Sequence, residues 1–305
     1  MRAPIVVMGS INMDLVYRSR RQPKPGETVF GTSLNFFPGG KGANQSVAAA
    51  KLYGCVRLIG MLGDDSFAEP LRASLLSAGV DISCVGVAHG SSGTAIIATG
   101  PEGQNAITVI PGANAQLLPE RMDELAAEIQ NAGIVLAQLE VPLETVMRAA
   151  EIAADAGVPF ILDPAPARLL PEELLDKVTW ITPNETEAEE LIGEGTSAMT
   201  PGERATALLA KGVQGVVLKR GQEGVFLLGK NVAPVNIPAP SVTAVDTTAA
   251  GDAFNGAFAA ALMRRLPVEQ AARYAVAAAT VSVTRHGAQP SLPSESEVMA
   301  MLTAE

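Results

Sequence analysis

The stretch Asp246-Thr-Thr-Ala-Ala-Gly-Asp-Ala-Phe-Asn-Gly256 joins two acids, a turn of small residues and the start of an alanine-rich segment. Residues 253–262 predict a helix that begins close to Asp252. A helix N-terminus carries unpaired N–H groups and the positive end of the helix dipole, so it suits an anion. A carboxylate there can accept a proton from a hydroxyl while the N–H groups hold a phosphoryl group. An ordinary acidic N-cap is the alternative interpretation.

Outward from this stretch, apolar β-rich runs alternate with amphipathic or alanine-rich runs. The predicted strands are 5–8, 56–59, 134–137, 160–162, 180–181, 215–218 and 225–228. The predicted helices are 44–53, 66–78, 116–130, 142–155, 185–192 and 202–211, followed by two helices within 252–285. Near-continuous apolar strands separated by helices indicate an α/β fold: a three-layer, mostly parallel sheet with helices on both faces. The loops that follow its strands share one edge, where such sheets bind ligands.

Residues 15–37 and 92–109 interrupt this alternation, because they are β-like and contain turn residues but no helix. We predict that they form a small β lid over the ligand crevice of a single domain spanning residues 1–305. Peripheral hairpins with no mobile role are the alternative.

Composition and charge exclude several classes of protein. The net charge of −10 argues against binding to nucleic acid or to an anionic membrane. No apolar run approaches the roughly 20 residues that span a bilayer, and the first residues do not resemble a secretory signal. Cys55 and Cys84 form neither a metal-binding spacing nor a disulfide framework. These features predict a cytoplasmic protein.

Polar residues suited to a sugar follow the predicted strands. Asn12 and Asp14 lie on one side of the chain if it is extended there, and Glu140 ends another strand. An amide beside a carboxylate suits a polyol, whereas Asx-turn capping is the structural alternative. The run Gly39-Gly-Lys-Gly-Ala-Asn44 opens a helix, and its glycines let the backbone approach a ligand closely. It is not a P-loop, because Gly42 follows the lysine.

Two further motifs allow either a structural or a nucleotide-binding role. Thr182-Pro-Asn-Glu-Thr-Glu187 matches a capping box, but its polar groups could also hold Mg²⁺ through water near nucleotide phosphates. Lys219-Arg-Gly-Gln-Glu-Gly224 lies between two predicted strands. It is either a plain hairpin or a loop that lets adenine or phosphate approach the backbone.

The order of these motifs resembles the ribokinase-like family of carbohydrate kinases, and the resemblance covers nearly the whole chain. The matching segments are Gly39–Asn44, Asp163-Pro-Ala-Pro-Ala-Arg168, Thr182–Glu189, Asp246–Gly256 and Thr284-Arg-His-Gly-Ala-Gln-Pro-Ser291. The first and fourth of them resemble the two signatures of the family. Many members have glycine at the position of Ala249, and we interpret the alanine as the mark of a subgroup.

The resemblance implies transfer of the γ-phosphoryl group of ATP to the 5-hydroxyl of D-ribose. Asp252 would be the general base, and the backbone N–H groups of Ala249, Ala250 and Gly251 would form an anion hole. The sugar would be held by Asn12, Asp14, Gly40, Lys41, Asn44 and Glu140. The nucleotide would be held by Asn184, Glu187, Lys219, Gly221, Gly224 and Gly251, with Glu187 reaching Mg²⁺ through water.

The same resemblance implies a monovalent cation, usually K⁺, beside the anion hole. Its ligands would be the side chains of Asp246 and Ser291 and the backbone carbonyls of Thr248, Ser282, Arg285 and Gly287. The lid segments would pair between two subunits to form a homodimer.

Other functions stay open at this point. A kinase for 2-deoxyribose, fructose, ketodeoxygluconate or a nucleoside would share the same chemistry, and Arg18, Arg20 and Arg21 keep an acidic sugar possible. A sugar-binding regulator without turnover would need a damaged Asp252 or anion hole, and both are intact in the sequence. A nicotinamide-dependent oxidoreductase would need Gly-x-Gly-x-x-Gly after a strand, which this chain lacks.

Overall fold

The computed structural model of the chain describes residues 2–100, 105–193 and 195–303. Its strands are β1 (Ile5–Met8), β2 (Asn12–Ser19), β3 (Gly31–Gly39), β4 (Val56–Leu62), β5 (Val85–Val87), β6 (Gly93–Thr99), β7 (Asn105–Ile110), β8 (Ile134–Ala137), β9 (Phe160–Leu162), β10 (Trp180–Ile181), β11 (Gly215–Lys219), β12 (Val225–Gly229) and β13 (Val232–Ile237). Its α-helices are α1 (Lys41–Tyr53), α2 (Ala68–Ser77), α3 (Pro119–Glu124), α4 (Ala126–Gln130), α5 (Leu143–Asp155), α6 (Glu172–Leu175), α7 (Glu185–Ile192), α8 (Pro201–Ala210), α9 (Ala250–Met263), α10 (Val268–Ser282) and α11 (Glu295–Thr303).

The larger sheet has the strand order β13-β12-β11-β10-β9-β8-β1-β4-β5. Its strands pair in parallel from β5 to β11, and β12 and β13 continue the sheet antiparallel. The C-terminal ends of the parallel strands therefore lie along one edge, where the loops that follow them are brought together.

Two hydrophobic clusters cover the two faces of this sheet. The alternation along β1 shows the division, because Ile5 and Val7 pack with α1, α9 and α10, whereas Val6 and Met8 pack with α5, α7 and α8. Successive side chains of a strand point to opposite faces, so a strand buried on both sides reads as one apolar run. The predicted three-layer α/β fold is confirmed.

The prediction of a continuous helix over residues 116–130 is wrong. A 3₁₀-helix occupies Gly112–Gln116, and α3 starts only at Pro119, which suits the first helical turn because proline has no N–H to donate. Leu125 then leaves helical geometry, with φ −101° and ψ 16°, and separates α3 from α4. The first helix, predicted over 44–53, begins three residues earlier at Lys41.

The smaller sheet, here called the lid sheet, consists of β2, β3, β6 and β7 in the order β3-β2-β6-β7. The predicted lid segments 15–37 and 92–109 supply its strands, and residues 101–104 of the second segment lie outside the described residues. β2 and β3 reach further than predicted, to Asn12 and Gly39, which face each other across the pair. The predicted sugar ligand Asn12 therefore lies where the lid sheet meets the larger sheet.

No helix in the described part of the chain combines the length and the apolar character needed to cross a membrane.

Candidate active site

Asp252 lies in the first turn of α9, directly after a strained turn. Ala249 precedes the helix with φ 59°, in the left-handed region that costs a non-glycine residue about 1–3 kcal/mol. A cavity of about 810 Å³ opens at this point, and Ala249, Ala250, Gly251 and Asp252 line it. The Ala250 N–H donates to the Thr247 carbonyl at 3.3 Å. The anion hole of three N–H groups therefore stays a prediction.

The Asp252 carboxylate is buried, and α1 donates a hydrogen bond to each of its oxygens. Asn44 Nδ2 donates to Oδ2 at 3.0 Å, and Gln45 Nε2 donates to Oδ1 at 2.9 Å. Burial raises the pKa of Asp252 from its ordinary 3.8 to about 6, with Lys41 opposing the rise and Asp163 adding to it. A carboxylate that titrates near the operating pH is suited to act as a general base.

Two glycines allow α1 to approach the loop that leads to the predicted sugar ligand Asn12. Gly40 has φ 88°, and a Cβ there would lie 2.7 Å from the Asn12 backbone nitrogen. A Cβ on Gly42 would lie 2.5 Å from the Gly9 carbonyl carbon. The helix therefore starts against the end of β1, and Lys41, Asn44 and Gln45 share one of its faces. Burial lowers the pKa of Lys41, but the surrounding acids raise it more, so this side chain stays charged.

Asp14 and Glu140 are the predicted sugar ligands that lie beyond α1. Glu140 Oε2 accepts a hydrogen bond from Ser10 Oγ and one at 3.3 Å from the Lys41 backbone nitrogen. Burial raises the pKa of Asp14 to about 7, and the charges of Glu140 and Asp252 add to the rise. A Cβ on Gly39 would lie 2.2 Å from Asp14 Oδ2, so only glycine leaves room for this carboxylate.

The orientation of the Asn12 amide is fixed by Asn114, a residue that the sequence analysis missed. Asn114 Nδ2 donates to Asn12 Oδ1 at 2.7 Å, and Asn114 Oδ1 accepts from the Ile11 backbone nitrogen at 2.9 Å. With Oδ1 engaged, Asn12 is left with its Nδ2 hydrogens as donors. An amide donor beside the Asp14 carboxylate can bind neighbouring hydroxyls.

A buried polar network joins Asp252 to Lys219, a predicted nucleotide ligand. The sequence analysis missed most of the residues in this network. Gln45 Nε2 also donates to Asp163 Oδ2 at 2.9 Å, and Lys219 Nζ donates to Asp163 Oδ1 at 2.8 Å. Gln138 Nε2 donates to Gln45 Oε1 at 2.7 Å. Two signals could have found these residues. Asp163 and Gln138 directly follow strands, and Gln45 stands four positions after Lys41 on the helix.

The cavity wall contains all six predicted nucleotide ligands. Asn184, Glu187, Lys219, Gly221, Gly224 and Gly251 all line it. The Lys219–Gly224 loop connects the antiparallel pair β11 and β12, as a hairpin does, and it also borders the cavity, so its role toward a nucleotide stays a prediction. Gly224 is required by its φ of 82° and by the Ile237 carbonyl, 2.0 Å from where a Cβ would stand.

Asn184 and Glu187 form the predicted capping box at the start of α7. Glu187 N donates to Asn184 Oδ1 at 2.8 Å, and Asn184 N donates to Glu187 Oε2 at 2.7 Å. Burial raises the pKa of the Glu187 carboxyl, against the charge of Lys219. The capping contacts hold this carboxylate at the cavity wall.

The predicted cation ligands lie on the loop before α9 and on the loop after α10. Asp246 links the two loops, because Oδ1 accepts from Thr248 N and Oδ2 from Gly287 N, both at 2.9 Å. Ser291 is buried, and its Oγ donates to the Ala288 carbonyl at 2.8 Å. Ser282 lies at the end of α10, and the Arg285 side chain turns to an ion pair with Glu297. The structure brings Asp246, Thr248 and Gly287 into contact.

Comparisons with known proteins match nearly the whole chain. The model of the pfkB family carbohydrate kinases matches residues 2–295. A ribokinase of Haemophilus influenzae is 40% identical over 99% of both chains, and a deoxyribokinase of Salmonella typhi is 39% identical over 95% of both. The structure of an Arabidopsis thaliana ribokinase complexed with ribose and ATP superposes with a TM-score of 0.92, at 36% identity and 99% coverage of both chains.

Proposed function

This chain belongs to the pfkB family of carbohydrate kinases, and from that membership we propose that it transfers the γ-phosphoryl group of ATP to the 5-hydroxyl of D-ribose. In this reaction Asp252 takes the proton of the hydroxyl as it attacks, and the bond between the γ-phosphorus and the bridging oxygen of ADP breaks.

The observation that carries the proposal is the position of Asp252. Its buried carboxylate borders the large cavity and is bonded by α1, the helix that also presents Lys41 and Asn44. A base at a helix N-terminus lies where a hydroxyl and a phosphoryl group can meet, with the helix dipole favouring the negative charge that develops. Phosphoryl transfer needs mainly such positioning and charge stabilisation.

The sugar in this proposal lies on the β2 side of Asp252. The Asn12 amide donates and the Asp14 carboxylate accepts, so the pair binds a diol. Glu140, Lys41, Asn44 and the Gly40 backbone line the same side. Asp14 and Asp252 each have a raised pKa, and hydroxyl donors from a bound sugar favour the ionised form of both.

The nucleotide lies in the 810 Å³ cavity, with its triphosphate directed to the N-terminus of α9. The N–H groups of Ala249, Ala250 and Gly251 would stabilise the transferring phosphoryl group, and Lys219 adds a positive charge. Among the described residues, no cluster of three or more His, Cys, Asp or Glu side chains is placed to hold a metal ion. Mg²⁺ would therefore be held by the phosphates and, through water, by Glu187, and it would neutralise phosphate charge.

A monovalent cation, K⁺ in our proposal, would be held by Asp246, Ser291 and the carbonyls of Thr248, Ser282, Arg285 and Gly287. The donor set fits such an ion, because it is made of oxygens and only one of them comes from a carboxylate. The ion would stabilise the turn that precedes α9. Replacing K⁺ by Na⁺ should lower kcat, and equal rates in both salts would contradict this part of the proposal.

The lid sheet is proposed to pair with its copy in a homodimer. Leu34 and Phe36 of β3 are about half exposed, at 54% and 51%. Leu15, Tyr17 and Ile96 lie on the same face of the sheet. Exposed apolar patches often mark interaction sites. The lid sheet of a second subunit would cover this patch.

The test is an assay of ADP release with ATP, Mg²⁺ and K⁺ over ribose, 2-deoxyribose, fructose, ketodeoxygluconate and adenosine. We expect ribose to give the highest kcat/KM. The 39% identity to a deoxyribokinase makes 2-deoxyribose the second candidate, and preference for it would retain the chemistry and change the sugar. If the folded protein phosphorylates none of the five, the proposed function is wrong.

A further inference from the structure

We infer that Gln45 is a positioning residue for the reaction proposed above: its side-chain amide bridges Asp252 to Asp163 and keeps the Asp252 carboxylate ionised and in place. The inference rests on the proposed function, because it concerns the base of that reaction. Gln45 is not among the residues that line the cavity, so its effect on the reaction passes through Asp252.

The bridge consists of one amide nitrogen and two acids. Gln45 Nε2 lies 2.9 Å from Asp163 Oδ2 and 2.9 Å from Asp252 Oδ1. An amide nitrogen carries two hydrogens, so it can donate one to each carboxylate. Gln45 is completely buried, so water does not compete for these bonds. Donation to the charged form of an acid favours that form.

Gln138 determines which end of the Gln45 amide faces the acids. Its Nε2 donates to Gln45 Oε1 at 2.7 Å, so the oxygen points away from Asp163 and Asp252. Gln138 is also completely buried, and a Cβ on Gly9 would lie 1.9 Å from its Oε1. Its amide is therefore confined beside the backbone of Gly9, and a flip of Gln45 would bring two N–H donors together and turn the Gln45 oxygen toward the two carboxylates.

The backbone around Gln45 is held equally closely. A Cβ on Gly256, one turn after Asp252 in α9, would lie 2.8 Å from the Gln45 carbonyl oxygen and 2.5 Å from the Ala48 Cβ. Glycine at this position lets α9 approach α1 until the donor of one helix reaches the acid of the other. The distance between Gln45 and Asp252 is thus set by packing of the two helices.

Several charged groups surround Asp252, and Gln45 is a neutral donor among them. The others are Lys41 on α1, Asp14 on β2, Glu140 after β8, Asp163 after β9, Glu187 on α7 and Lys219 on β11. Without the Gln45 donor, Asp163 and Asp252 would lose the group that bridges them, and only the charges of Lys41 and Lys219 would offset their repulsion. The base would then keep its proton to a higher pH and would be inactive over a wider range.

The test compares Gln45→Met with Gln138→Met. Methionine keeps the length of the side chain and removes the donor. We expect the acid limb of the pH profile of kcat to move up by about one pH unit in Gln45→Met, since one unit corresponds to about 1.4 kcal/mol, a typical loss for a hydrogen bond to a charged group. Gln138→Met should move it less, in the same direction. Ser46→Ala, which loses a buried bond to the Gly42 carbonyl, is the matched control and should leave the limb in place.

A titration by carbon-13 NMR measures the pKa of the Asp252 carboxyl directly and does not depend on turnover. The signal is identified by its loss in Asp252→Asn, and its pKa should rise in both methionine variants. An unchanged acid limb and an unchanged carboxyl pKa in folded Gln45→Met would overturn the inference. If that variant does not fold, the same result in Gln138→Met would overturn it. A wild-type protein inactive on ribose would refute the proposed function alone, and the NMR titration would still decide the role of Gln45.

Discussion

Replacement of Asp252 by asparagine should remove turnover and, at the same time, change stability in a pH-dependent way. The loss of turnover follows from the loss of the base, which is typically worth about 10²–10⁴-fold. The change in stability follows from burial, because the folded protein holds this carboxyl at a pKa of about 6 against 3.8 in an exposed chain. A buried group with a raised pKa stabilises the fold only when it is protonated.

The sign and size of the effect follow from this pKa difference. The contribution of Asp252 to the free energy of unfolding is fully favourable below pH 3.8 and is lost as the pH rises through 6. Relative to the protonated group, ionisation costs about 3 kcal/mol at pH 8 and about 1.6 kcal/mol at pH 5. Asparagine cannot ionise, but its amide would point hydrogens at Asn44 or Gln45, at a cost that does not depend on pH. The mutation should therefore change the free energy of unfolding, relative to wild type, by about 1.4 kcal/mol more in the stabilising direction at pH 8 than at pH 5.

The measurement is denaturant unfolding of wild type and Asp252→Asn at both pH values, together with kcat and the sugar dissociation constant. The exposed Asp155→Asn controls for the change of charge alone. The same change in unfolding free energy at pH 5 and pH 8 would refute the claim that Asp252 is buried as a costly carboxylate. Wild-type turnover in the mutant would refute its role as base.

Four further changes test other parts of the site. Gly39→Ala places a Cβ 2.2 Å from Asp14 Oδ2, so we expect a higher KM for the sugar and an unchanged KM for ATP. Asn114→Ala frees the Asn12 amide and should raise the KM for the sugar about tenfold, the equivalent of one hydrogen bond of about 1.4 kcal/mol; an equal rise for ATP would indicate general damage. Glu187→Gln should raise the Mg²⁺ concentration that gives half-maximal rate, and an unchanged value would exclude the metal role. Leu34→Asp should halve the mass measured by light scattering, whereas an unaltered mass would place the subunit contact elsewhere.

The layers of the fold could be predicted from sequence because the central strands are buried on both faces. Runs such as Ile5–Met8 and Phe160–Leu162 are continuous and apolar, and helical segments separate them. β5 and β13 were not predicted, because they are the two edge strands of the larger sheet and their partly exposed residues lack that apolar continuity. The predicted helix is interrupted at Leu125 by a local change in backbone conformation, and no proline or glycine marks this position in the sequence.

Contacts between side chains of the candidate site could be predicted where both residues belong to one motif. They could not be predicted where the residues come from distant elements. Asn184 and Glu187 are close in sequence, and their capping box could be predicted from spacing alone. Asn114 and Asn12 are 102 positions apart and Gln45 and Gln138 are 93 apart, so only the folded chain shows their contacts. Gln138 follows β8 and Gln45 stands one turn after Lys41, but neither position alone shows which groups the amide contacts. The importance of these amides comes from what they orient.

The strand β2 has Asn12 at its inner end and Asp14 two residues further, and from there it continues outward as the middle of the lid sheet. Asn12 pairs with Gly39, the last residue of β3, and with Gly93, the first residue of β6, so the three strands meet at this point. A displacement of the outer end of these strands would therefore reach the predicted sugar ligands Asn12 and Asp14. We expect a partner on the exposed face of the lid sheet around Leu34 and Phe36 to change the affinity for the sugar, and the sugar would then change the affinity for the partner by the same factor. If a second subunit covers that face, the apparent affinity for the sugar will depend on the concentration of the enzyme itself.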